Sequence, residues 1–200
     1  MNVLVLAAAL QASPATVPPA LPSDEFDAAM MCEAVAVVDQ ADKNPLPLKT
    51  FVRTSFFVIV AARARPTDQA FGERMVALSN TPVPPSLASA NIPALMSACD
   101  ARFPKVVATN ISLPTDPLKR DLLCSAASSL YAGMANTRDG MAGANDAAPL
   151  DVVRRRFLAR LTPARLGADR DALRLAALKQ TVDYGTVSEI ERSCAALPGE

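Results

Sequence analysis

The chain has 200 residues, half of them apolar, with 20 acidic and 20 basic residues and no histidine. The zero net charge argues against nucleic-acid binding, which needs a basic surface to neutralise phosphates. The lack of histidine excludes histidine-based catalytic triads and histidine metal ligands. Alanine dominates the apolar half, and alanine loses no side-chain entropy in a helix, so the composition favours an all-α fold.

Residues 1–15 are predicted to be a signal peptide, because residues 1–10 are mostly apolar and small residues follow them. No lysine or arginine precedes the apolar run, so a short N-terminal helix that stays in the fold is the alternative. Residues 16–22 are rich in proline and alanine and are predicted to form an extended leader. No other apolar run reaches the ~20 residues of a membrane span. We therefore expect a periplasmic or secreted protein without a membrane span.

Proline residues and apolar stripes divide residues 23–104 into four predicted helices. These helices cover residues 23–42, 48–64, 67–80 and 91–103. Asn91 is expected to cap the fourth helix. The second helix is apolar on nearly every face, which predicts that it is the central helix of this half.

Residues 105–115 are β-branched and polar and are predicted to link this half to a second half, residues 116–200. Four more helices are predicted there, over residues 116–134, 149–162, 169–184 and 186–197. Ala135–Ala148 is predicted to be the longest loop. Thr186 and Glu189 have the spacing of a capping box, in which each side chain bonds to the other residue's backbone amide.

The four cysteines are Cys32, Cys99, Cys124 and Cys194, and the second member of each pair follows the first by about seventy residues. In an exported chain they are expected to form two disulfides. Three connectivities are possible, and we favour Cys32–Cys99 with Cys124–Cys194 because each bond then closes one half. The alternative is four buried free thiols in a cytoplasmic protein.

The helices follow the same order in both halves: a helix with a cysteine, a helix preceded by proline, a third helix, and a capped helix with a cysteine. This pattern predicts a bundle of about eight helices built as two similar four-helix halves. The alternative is one eight-helix domain without internal symmetry.

Glu33 adjoins Cys32 inside an otherwise apolar helix. A half-buried carboxylate there needs a cationic partner, and Arg53 on the next helix is a candidate for a structural ion pair. The functional hypothesis is that Glu33 is a polar anchor inside a ligand pocket.

Arg156 and Arg160 share one face of the basic sixth helix. This face is either a solvated surface or a patch for an acidic protein, lipid headgroups or another anion. Tyr131 precedes the predicted loop and is a candidate recognition residue, because tyrosine is favoured at interfaces.

The sequence contains no glycine-rich phosphate loop and no dinucleotide-binding motif. Its acids cluster at helix starts, where capping accounts for them. We therefore expect no cofactor and lean against an enzyme: the first hypothesis is an exported, non-catalytic helical binding or interaction protein, with its partner and oligomeric state unspecified. The alternatives are a carrier of an apolar small molecule between helices and, with less support, a carboxylate-dependent hydrolase.

Overall fold

A computed structural model describes residues 20–142 and 150–198. Within these ranges the protein is all-helical, with eight helices of nine or more residues and no strand, which confirms the predicted fold class. The predicted signal peptide and residues 16–19 of the leader lie outside the described residues. The α-helices are α1 (Glu25–Val38), α2 (Leu48–Ala64), α3 (Phe71–Ser79), α4 (Ile92–Arg102), α5 (Pro117–Ala142), α6 (Leu150–Arg160), the one-turn α7 (Pro163–Leu166), α8 (Arg170–Tyr184) and α9 (Val187–Ala195).

The two predicted caps differ in outcome. The Asn91 side chain accepts a hydrogen bond from the Ala94 amide at 3.2 Å, which confirms the cap of α4. The capping box at α9 is wrong, because the Thr186 side chain makes no hydrogen bond to the helix backbone. Its hydroxyl instead lies 3.1 Å from the Ser188 hydroxyl.

Helix α5 continues beyond its predicted end and includes Ala135 to Ala142, so the loop prediction is wrong for this segment. Met134 and Ala135 are buried. Their packing favours continuation of the helix, and Gly140 within it costs only about 1 kcal/mol relative to alanine. Residues 143–148 of the predicted loop lie outside the described residues.

Both predicted disulfides are confirmed. Cys32–Cys99 joins α1 to α4, and Cys124–Cys194 joins α5 to α9. Each closes a loop of about seventy residues, which corresponds to about 4 kcal/mol of stabilisation in the chain-entropy model. Two disulfides fit an oxidising compartment.

Helix α2 packs against α1, α3, α5, α8 and α9, so it is central to the whole molecule. The fully buried Phe57 anchors the first core, where its ring meets that of Phe103 edge-on at 5.6 Å. Phe157 anchors the second core and is also fully buried. Val182 of α8 enters the first core and Val52 of α2 enters the second, so the two halves interlock. The internal duplication stays a prediction.

No helix in the described ranges combines the length and the apolar character needed to cross a membrane.

Candidate cleft around Glu33

A cleft of about 600 Å³ lies between α1, α2, α3 and α5. It therefore joins three helices of the first half to the first helix of the second. Its apolar walls include Phe51 and Val58 of α2, Met75 of α3, and Leu130 and Met134 of α5. The volume lies within the range of about 300–1,000 Å³ that small-molecule sites occupy.

Glu33 of α1 lines this cleft and is only 7% exposed. Its carboxyl group makes no hydrogen bond or ion pair with any described residue. Burial raises the pKa of Glu33 from its ordinary 4.5 to about 7, because the apolar surroundings disfavour the charged form. Near neutral pH the cleft thus contains a carboxyl group that is partly protonated and has no partner.

Arg53, the expected partner of Glu33, pairs with Asp100 of α4 instead. Its guanidinium also lies 5.7 Å from the ring centroid of Phe57. The arginine is therefore directed toward α4 and the first core, so the predicted Glu33–Arg53 ion pair does not form.

Hydroxyl groups along the cleft present acceptors rather than donors. Thr54 and Ser55 of α2 donate to backbone carbonyls one turn earlier, at 3.1 and 2.8 Å. Ser79 of α3 and Thr137 of α5 do the same at 2.9 and 3.0 Å. A hydroxyl has one hydrogen, so once it is used only the oxygen lone pairs remain for a ligand. These four oxygens and the Glu33 carboxyl favour a ligand that donates hydrogen bonds.

The sequence does not readily reveal this ring of hydroxyls, because serine and threonine on a helix are usually solvated or bonded to their own backbone. The usable signal is the pair Thr54-Ser55 inside the otherwise apolar middle of α2. The contribution of α3 and α5 depends on how the two halves pack, and no local pattern encodes it.

Arg156 and Arg160 lie on the same side of α6, and both contact their own chain. Arg156 donates to the backbone carbonyls of Cys194 and Leu197 at the end of α9. Arg160 lies 3.7 Å from the buried carboxylate of Asp121 on α5. Both guanidinium groups also lie over the Phe157 ring, at 4.7 and 5.3 Å. Their contacts therefore fasten α6 to α9 and α5.

Tyr131 is half-buried on α5 and packs against the second core. It is not among the residues that line the Glu33 cleft. The structure thus brings neither Tyr131 nor the two arginines of α6 together with Glu33.

Glu33 is the only ionisable residue among those lining the cleft. In the part of the chain that the structure describes, no three histidine, cysteine, aspartate or glutamate side chains come together as a metal site would require. Comparisons of the chain with protein-family models, with curated proteins and with solved structures found no match.

Proposed function

We propose that this is an exported, non-catalytic binding protein whose cleft takes a small apolar molecule carrying an amino group. The unpaired, buried carboxyl of Glu33 in an apolar cleft carries the proposal. Export is supported by the signal-like N-terminus and by the two disulfides, which persist in oxidising compartments.

An ammonium group is the ligand feature that fits this cleft best. A buried carboxylate without a partner loses its hydration and gains nothing in return, whereas an ammonium nearby supplies both charge and hydrogen bonds. The hydroxyl oxygens of Thr54, Ser55 and Ser79 can accept the remaining ammonium hydrogens. The apolar walls then cover the rest of the molecule.

A carboxylate-dependent hydrolase is less well supported. Such chemistry needs a second acid or a nucleophile facing the first carboxyl. Glu33 is the only acid in the described lining, and the four hydroxyls named above are already bonded to backbone carbonyls.

The proposal is tested by calorimetric titration with decylamine, decanol and decanoate at pH 8, each below its micelle concentration. We expect decylamine to bind at least tenfold more tightly than decanol, which corresponds to about 1.4 kcal/mol. We expect decanoate to bind most weakly, because two carboxylates repel each other. Decylamine affinity should increase between pH 5 and pH 8, as Glu33 ionises.

Glu33→Gln should remove the preference for the amine and leave decanol binding in place. Glu191→Gln is the matched control, because Glu191 is also buried, on α9, but does not line the cleft. Failure of all three probes to bind would contradict the proposal. Equal loss of amine binding in the two variants would also contradict the role given to Glu33.

A further inference from the structure

A second pocket, separate from the Glu33 cleft, contains an arginine without a counter-ion. It has a volume of about 490 Å³ and lies between the end of α2, the loop to α3, the start of α3, and α8. Arg74 lines it and is 93% buried, since only 7% of its surface is exposed. The Nε and Nη1 atoms of Arg74 are buried and make no hydrogen bond. A guanidinium always carries its charge, so burial without an anion is costly.

The other charges in this pocket are also positive. Lys179 of α8 lies over the Phe71 ring, with its Nζ 4.9 Å from the ring centroid, and forms no ion pair with a described residue. Arg63 is balanced by Asp183, whose carboxylate it meets at 2.7 Å. The described lining contains no acidic residue that could balance Arg74 or Lys179.

The start of α3 adds further donors. Ala70 occupies the capping position and has no side chain able to accept a hydrogen bond from the first amides. The first turn of a helix carries partial positive charge, which makes Arg74, one turn into α3, still less favourable without an anion. Helix start, Arg74 and Lys179 therefore all require the same kind of ligand.

We propose that this pocket binds a small oxyanion, such as free phosphate or a phosphate ester. The guanidinium of Arg74 offers paired donors that match two oxygens of such an anion, and Lys179 adds a point charge. Phe71 and Leu175 form an apolar wall beside these charges, where the organic part of an ester would lie. The site is independent of the Glu33 cleft, and its ligand has the opposite charge.

The test is thermal unfolding in inorganic phosphate and in chloride at equal ionic strength. At about ten times its Kd, phosphate should raise the Tm of the wild-type protein by about 3–6 °C over chloride. Phenyl phosphate is added as a second probe. A larger shift with phenyl phosphate assigns the site to esters and an equal shift assigns it to free phosphate, and both results support the proposal.

Three variants separate binding from general charge effects. Lys179→Gln should lose more than half of the phosphate shift, whereas Lys105→Gln, which removes an exposed lysine outside this pocket, should keep it. Arg74→Met should abolish the shift and raise the Tm in chloride, because it removes a buried unpaired charge. If Arg74→Met does not fold, the two lysine variants decide. No phosphate-specific shift in the wild type, or equal shifts in both lysine variants, would overturn the proposal.

Discussion

Replacing Glu33 by glutamine should change how the free energy of unfolding depends on pH. In the folded protein the pKa of Glu33 is about 7, and in the unfolded chain it returns to its ordinary 4.5. Between these values the folded protein keeps a proton that the unfolded chain has released. The wild-type free energy of unfolding should therefore fall as pH rises from 4.5 to 7, and this contribution should be constant outside that window.

The magnitude follows from the two pKa values. Each pKa unit corresponds to about 1.4 kcal/mol, so the interval from 4.5 to about 7 amounts to about 3 kcal/mol. Glutamine does not ionise and is free of this cost. Relative to the wild type, Glu33→Gln should thus be about 3 kcal/mol more stable at pH 8 than it is at pH 4.5.

Urea unfolding of both proteins at the two pH values measures this difference, and taking the difference cancels the titration of the other groups. Glu191→Gln serves as the control. Burial also raises the pKa of Glu191, but the positive charges of Arg192 and Arg156 oppose that effect, so a smaller change of the same sign is expected. A change below about 1 kcal/mol for Glu33→Gln, or one of opposite sign, would refute the assignment of Glu33 as a buried, unpaired carboxyl.

Three further predictions concern the cleft and the core. Gly133→Phe should weaken decylamine binding at least tenfold in calorimetry without loss of stability, because a Cβ there meets no atom within 4 Å and the residue lines the cleft. Gly140→Phe on the same helix should leave binding unchanged, and equal effects at both positions would contradict the location of the ligand. Joint replacement of Cys124 and Cys194 by serine should lower the free energy of unfolding in urea by about 4 kcal/mol, and a change below 1 kcal/mol would contradict it. Phe157→Ala should lower it by about 3–5 kcal/mol, since the ring is fully buried, and a neutral result would contradict its place in the second core.

The elements dictated by local sequence were predictable. Proline and apolar periodicity located the helices, and cysteine spacing gave the disulfide pairing that the structure contains. The end of α5 was not predictable, because Ala135 to Ala142 are helical through packing that short-range propensity does not encode. The capping box at Thr186 has the right residues, but the side chains make other contacts.

The site could be predicted only in part. Glu33 was recognisable as a polar residue on an apolar helix, but its lack of a partner depends on Arg53 turning toward Asp100. The basic helix α6 suggested an exposed patch, whereas Arg156 and Arg160 contact their own chain. Such outcomes depend on which long side chain reaches which acceptor in three dimensions. A single sequence ranks these alternatives poorly because several partners lie at suitable spacing.

The most direct test of the proposed ligand class is carboxyl carbon NMR of Glu33, with the signal assigned by its loss in Glu33→Gln. In the free protein we expect a titration midpoint of about 7. Saturating decylamine should lower the midpoint by about one unit or more, because an ammonium beside the carboxyl favours the ionised form. A midpoint near 4.5 in the free protein, or one that decylamine leaves unchanged, would contradict the account.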